Sequence, residues 1–270
     1  MSKIHLIGGE KGGVGKSVVA RLLAHHFAEL TLPVLVLDGD QSHPEMLRFY
    51  GDISQPLNLE DTTSVDQVLE VALEKDTYVL VDLPSQSQRH LKQWIDGSGV
   101  LDLSAELDVP IIFWHVIDDG KNSIDLLDGL LSNYSQGLNT HFVIVKNTGL
   151  GLDFSLFDNS SVCKIAEKRN ARILTLSELN KRVMNKIDRF NLSYRIAAHQ
   201  SQGDCLNLLE RQRVKVWLSR WEKELLDVSE WVGKATLNEE NGTPKNEIPD
   251  QSNSTQESVY WPAGEENTPR

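Results

Sequence analysis

Two lysines, a serine and a run of glycines fall within ten consecutive positions: Gly8-Gly9-Glu10-Lys11-Gly12-Gly13-Val14-Gly15-Lys16-Ser17. Glycines at that density let backbone N–H groups turn toward an anion, while a lysine followed by serine offers a cation for phosphate oxygens and a hydroxyl for Mg²⁺. Such a loop needs rigid supports on both sides. The apolar run Ile4 to Ile7 reads as a short buried strand before it. After it, Val18-Val19-Ala20-Arg21-Leu22-Leu23-Ala24-His25-His26-Phe27 returns its apolar residues at helical spacing. Strand, loop and helix N-terminus together form the context of a phosphate-binding loop, and the helix adds its partial positive charge.

Two further strands end in carboxylates. Val34-Leu35-Val36-Leu37 runs into Asp38-Gly39-Asp40-Gln41, and Tyr78-Val79-Leu80-Val81 runs into Asp82-Leu83-Pro84. Apolar strands that end in acids place those acids at the carboxyl edge of a parallel sheet, beside bound phosphates. A carboxylate at the end of such a strand holds Mg²⁺ through a water. Val109 to Ile117 is another strand, leading into Asp118-Asp119-Gly120-Lys121, where the two acids read as solvating a loop ahead of binding a partner, and then a helix carrying Ile124, Leu127, Leu130 and Leu131. His115 reads as a packed strand histidine. His141 to Asn147 and Arg172 to Leu176 complete the strands.

The strict pattern G-x-x-x-x-G-K-[ST] fails because Glu10 stands where its first glycine belongs. What matches, from Lys11 to Ser17, is the deviant form K-G-G-x-G-K-[ST], which resembles the ParA/MinD group of P-loop ATPases. The resemblance implies a three-layer α/β fold with a mostly parallel central sheet, and ATP with Mg²⁺ as its ligands. It implies that Lys11 crosses a dimer interface to the partner's nucleotide, and that Lys16 and the loop Gly12, Gly13, Val14, Gly15, Lys16, Ser17 and Val18 bind the phosphates. Asp38-x-Asp40 matches the group's D-x-D, with Asp40 orienting the attacking water and Asp38 near the metal. Ser17 and Asp82 would hold Mg²⁺. Asn147 matches an adenine-contacting asparagine, while an asparagine that merely caps a strand fits its residues equally. Departures occur at Gln41, where the group usually has proline, at Ser85-Gln86-Ser87-Gln88, where it has small residues, and at the acidic loop after the fourth strand. Gly-Gly-Glu-Lys-Gly-Gly and that loop are similar to the accessory branch associated with plasmid mobilisation and conjugal transfer.

The rest of the chain is less specific. Composition is ordinary for a globular protein, with 40% hydrophobic and 24% charged residues. No apolar run approaches the ~20 residues of a membrane span, and the first strand begins too early for a signal peptide, so the cytoplasm is the expected compartment. Cys163 and Cys205 lack metal or disulfide spacing. A net charge of −12 argues against a broad grip on nucleic acid and confines DNA contact to a local patch. Residues 46–60 show no regular pattern. A helix from 64 to 73 is expected, capped by Thr63 or Ser64, with Val65, Val68, Leu69 and Ala72 on one face. Ser160 to Lys168 also reads as helical. Leu179 to Phe190 carries an apolar stripe with Lys181, Arg182, Lys186 and Arg189 around it, by default a solvated face.

From Cys205 to Val232, the residues Val214, Trp217, Leu218, Trp221, Leu225, Val228 and Val232 recur at helical spacing. Docking onto the core is the expected role of this helix, ahead of a partner groove or a membrane surface. Residues 1–232 thus form one P-loop domain. From 233 to 270 the chain is acidic, nearly free of aliphatic residues and expected to be disordered, with one apolar island at Val259-Tyr260-Trp261-Pro262. The expected function is a slow ATPase, an ATP-dependent homodimer whose state is read by an unidentified protein partner in plasmid or DNA partition, mobilisation or conjugal transfer. An ATP-dependent ligase of the same branch and a nonhydrolysing nucleotide-binding scaffold are the alternatives.

Overall fold

The structure, a computed structural model, describes residues 2–74, 76–134, 137–200 and 205–234. The expected tail, with its island at Val259 to Pro262, lies outside these apart from Gly233 and Lys234.

The elements follow in chain order: β1 (Lys3–Gly8), α1 (Lys16–Glu29), β2 (Val34–Asp38), α2 (Glu45–Phe49), β3 (Ser54–Pro56), α3 (Thr62–Glu74) and β4 (Tyr78–Asp82). Then come α4 (Gln88–Gly97), α5 (Val100–Glu106), β5 (Ile111–Ile117), α6 (Lys121–Asn133), β6 (Thr140–Asn147), α7 (Ser155–Asp158), α8 (Ser161–Lys168) and β7 (Arg172–Leu176). The last elements of the described residues are α9 (Lys181–Arg189), α10 (Tyr194–His199), α11 (Leu208–Leu225) and α12 (Ser229–Val232).

Among the described residues, seven strands form one sheet in the order β3-β2-β4-β1-β5-β6-β7, and every pairing is parallel. This is the expected α/β fold. Each face of the sheet has its own core, as alternation along the strands requires. On one side Ile7, Val36, Leu80, Trp114 and Val145 pack with α1, α9, α10 and α11. On the other, Leu6, Leu37, Val81, Phe113 and Ile144 pack with α3, α4, α5, α6 and α8.

Three local expectations require correction. The stretch 46–60 is ordered, because Asp38 supports α2 from a distance: its Oδ2 accepts from the Met46 and Leu47 N–H groups at 2.8 and 3.1 Å. Strand β3 then pairs with β2 at the sheet edge. The cap of α3 is Asp61, whose Oδ1 accepts from the Thr63 N–H at 3.1 Å, rather than Thr63 or Ser64. The C-terminal helix starts at Leu208, where Asn207 and Glu210 form a reciprocal capping box. It docks on the core as expected, burying Val214, Trp217, Leu218, Trp221 and Leu225. Its polar residues dock too: Trp217 donates to the Ser177 carbonyl at 2.6 Å, and Glu224 accepts from the Thr175 N–H of β7, also at 2.6 Å. Of the basic residues on α9, Lys186 is paired with Glu210 at 2.8 Å. Among the described residues, no helix is long and apolar enough to cross a membrane.

Two strand histidines are buried, His5 and His115. Burial, with help from Lys3, pushes the His5 pKa down to about 3, and burial pushes that of His115 down to about 4. A histidine with a depressed folded-state pKa stays neutral in the native chain while the unfolded chain takes up a proton below about 6.5. Its contribution is therefore lost as pH falls through that window. Between pH 7 and pH 5 the loss from His5 is about 2 kcal/mol. In His5→Asn, whose amide oxygen can still accept the Trp114 N–H that His5 Nδ1 accepts at 3.0 Å, the stability difference between these pH values is expected to narrow by that amount. Urea titrations of both proteins at the two pH values check this, and an unchanged difference refutes it.

Candidate functional site

The connection leaving β1 runs toward β2 and the one leaving β5 runs toward β6, in opposite directions from neighbouring strands. Their carboxyl ends thus flank the switch point of the sheet, the place where open α/β sheets bind ligands. The segment from Gly9 to Gly15 bridges this edge and ends at α1, whose first residue is Lys16.

Gly15 must be glycine on two counts. Its φ of 104° lies in the left-handed region, and an added Cβ would stand 2.5 Å from Asn147 Nδ2. Asn147, at the end of β6, donates to the Val14 carbonyl at 2.9 Å and accepts from the Gly149 N–H at 3.0 Å. It therefore fastens the loop while also lining a cleft of about 240 Å³ with Gly13, Gly15, Val18, Leu176, Leu179 and Trp217. That cleft, apolar on several sides and open to the loop, has the character of a base pocket.

Lys16 is buried beneath the loop, with Nζ donating to the Lys11 carbonyl at 3.1 Å and to Ser85 Oγ at 3.0 Å. Burial lowers its pKa, and Asp82, Asp40 and Glu10 oppose that shift. Asp82, at the end of β4, is buried, and its Oδ1 has no hydrogen-bond partner among the described residues. Burial is the main cause that pushes its pKa up to about 7, reinforced by Asp38 and opposed by the Ser17 hydroxyl and Lys16. An orphaned, buried carboxylate oxygen beside a serine hydroxyl suits a hard divalent cation, which prefers oxygen donors. The residues present therefore fit Mg²⁺, which Ser17 and Asp82 would hold.

Asp38 and Asp82 are register partners across β2 and β4. Asp38 directs both oxygens at backbone: Oδ1 accepts from the Asp40 N–H at 3.1 Å, and Oδ2 from the start of α2. Burial nonetheless raises its pKa. Gly39 between them packs closely, since a Cβ would stand 3.1 Å from the Asp82 carbonyl. Asp40 holds the following turn through the Ser42 and His43 N–H groups at 3.0 Å, and it lines an open cleft of about 360 Å³ with Asn58, Glu60, Ser85, Gln86 and His90.

Several contacts escaped sequence reasoning. Glu10 accepts from the Gln88 N–H at 2.7 Å, so the glycine-rich loop caps the N-terminus of α4 directly. Its one visible sign was an acid standing where glycine belongs. Asp118, expected to solvate a loop, instead receives the ammonium of Lys11. Arg21 on α1 is buried, stacked 3.6 Å from the Phe49 ring centroid and 4.6 Å from that of Tyr194, and it pairs with Asp188 at 3.0 Å. It ties α1 to α2, α9 and α10, and an isolated arginine in an apolar helix carries no signal of that.

The model of the family described as CbiA, the CobQ/CobB/MinD/ParA nucleotide binding domain, matches residues 6–189. Protein MobD of Acidithiobacillus ferrooxidans is 26% identical over 235 residues, covering 85% of this chain and 97% of MobD. A protein TraL of Escherichia coli is 22% identical over 231 residues, covering 80% of this chain and 94% of TraL. Among solved structures, the MinC:MinD cell division protein complex of Aquifex aeolicus aligns with a TM-score of 0.47 at 16% identity, over 82% of this chain and 96% of that one. The McdA(D38A)-ATP complex of Cyanothece aligns with a TM-score of 0.49 at 14% identity, over 87% and 98%.

Proposed function

Because the chain belongs to the CobQ/CobB/MinD/ParA nucleotide-binding family, we propose that it is a slow Mg·ATPase whose nucleotide state controls the pairing of two copies, serving plasmid mobilisation or conjugal transfer. The observation that carries the reading is one convergence at the switch point of the sheet. The buried Lys16, the Ser17 hydroxyl and the orphaned oxygen of Asp82 meet beneath a loop fixed at Gly15. The likeness to MobD and TraL supports the choice of process.

The proposed roles are those the resemblance implies, and geometry and charge support them. Lys16 and the loop N–H groups neutralise phosphate charge, which is the main catalytic contribution available to a protein in phosphoryl transfer. Ser17 and Asp82 would hold Mg²⁺, which when bound would neutralise charge on the transferring group. Asp40, at the mouth of the open cleft, orients a water. Asn147 and the walls of the 240 Å³ cleft receive the base. With hydrolysis slow, the nucleotide times the paired state, and a protein partner reads it.

Light scattering on Asp40→Ala with Mg·ATP and with Mg·ADP tests this. A doubling of molar mass with Mg·ATP only, abolished by adding Lys11→Ala, is the expected result. A single-chain mass under both conditions refutes the switch and redirects the search to substrates of the ligase type.

A further inference from the structure

Lys11 and Asp118 leave the carboxyl ends of the adjacent strands β1 and β5, so the bond between them spans the crevice at the switch point. Resting on the reading that Lys11 serves nucleotide-dependent pairing, we propose that Asp118 is the positioning residue that keeps Lys11 on its own chain, so that pairing begins only when a nucleotide phosphate takes this carboxylate's place.

Asp118 is a fixed acceptor. Its Oδ2 receives the Lys11 ammonium, while Oδ1 accepts from Ser123 Oγ at 2.6 Å and from the Gly120 N–H at 3.1 Å. These two donors belong to the turn into α6 and its first turn, so the carboxylate cannot follow Lys11 outward without losing both. Burial works to raise its pKa, but the hydrogen bonds from Lys11 and Ser123 hold it below the usual carboxylate range. The aspartate therefore stays ionised throughout the neutral range.

The neighbouring Asp119 extends the same clasp. Its Oδ2 accepts from the Leu152 N–H at 3.1 Å. Gly151 lies so close that a Cβ there would stand 2.7 Å from the Asp119 nitrogen. Two consecutive carboxylates thus join the phosphate loop, the turn into α6 and the loop after β6. A fixed anion beside Lys11 acts on nucleotide in two ways: it competes with phosphate for the ammonium, and its charge repels phosphate. Both effects raise the nucleotide concentration needed for pairing.

Asp118→Asn keeps an oxygen for Ser123 and Gly120 while removing the charge and the second acceptor. Ser123→Ala leaves the charge and loosens its anchor. In the full chain without nucleotide, acylation of Lys11 by an amine-reactive ester, read by peptide mass spectrometry, is expected to quicken several-fold in Asp118→Asn and less in Ser123→Ala. In an Asp40→Ala background, Asp118→Asn is expected to lower the Mg·ATP concentration for half-maximal pairing about tenfold, the size of effect that about 1.4 kcal/mol produces. Unchanged acylation refutes the tether. Faster acylation with a higher Mg·ATP requirement shows that Asp118 presents Lys11 for pairing, and overturns the proposal. An Asp40→Ala parent that never pairs removes the pairing reading and with it the gating role, while acylation still reports the tether.

Discussion

Trp221→Ala is expected to lower the unfolding free energy by about 3–5 kcal/mol, the range for deleting a buried aromatic side chain. Trp221 is among the largest fully buried side chains, and its ring lies 6.5 Å from that of Trp114 at the centre of the sheet. Removing it opens a void between α11 and the strands, which the flanking contacts of Trp217 and Glu224 prevent from collapsing. Trp221→Phe should cost only about 1 kcal/mol, because it keeps most of the volume. It also removes an indole N–H that is buried without a partner among the described residues. Urea unfolding of the three proteins measures both numbers. A cost below about 1 kcal/mol for Trp221→Ala would mean that α11 does not hold the core together, and would return it to the role of a detachable partner-binding helix.

How far the sequence led depended on where each signal was stored. The five strands at the centre of the sheet and β7 were legible because a parallel sheet covered on both faces demands near-continuous apolar runs. Strand β3 was not. Its Ser-Gln-Pro sequence has no apolar pattern, and it exists because Val36, Leu37 and Asp38 offer it a ladder. Helix α2, five residues long, is too short to stand on propensity and is held by a carboxylate eight residues upstream. In both cases tertiary contacts create the element, and a local window contains no trace of them.

The site divides along the same line. The placement of Lys16, Ser17 and Asp82 at one edge of the sheet was legible because strand ends and a glycine loop announce themselves by type and order. Their partners were not. Lys11 and Asp118 are separated by 107 positions, and Glu10 reaches Gln88 across 78. Neither pairing follows from spacing; both follow from β1 lying between β4 and β5. Asn147 shows the intermediate case. Its position was found from the end of its strand, yet its amide is engaged with the Val14 carbonyl, a duty that only the folded loop reveals.

That duty sets the second large effect, expected for Gly15→Ala: a loss of at least about 100-fold in affinity for Mg·ADP, or about 2.8 kcal/mol. The backbone at Gly15, φ 104° and ψ 23°, is one that an L-residue adopts only at a strain of about 1–3 kcal/mol. The added methyl would also stand 2.5 Å from Asn147 Nδ2, in a side chain held at both ends by Val14 and Gly149. The chain can relieve this by rotating the loop peptides, which turns N–H groups away from the phosphate position. Otherwise it must displace Asn147, which frees the loop. Either route damages the anion cradle at the N-terminus of α1. Adding Asn147→Ala should remove the clash but also the bonds to Val14 and Gly149, leaving the φ strain and the weak binding. Gly51→Ala is the matched control: a Cβ there meets nothing within 4 Å, so both stability and affinity should hold. Calorimetric titration with Mg·ADP, alongside thermal melts, separates these variants. Undiminished affinity in Gly15→Ala would show that the cradle is not where the phosphates bind.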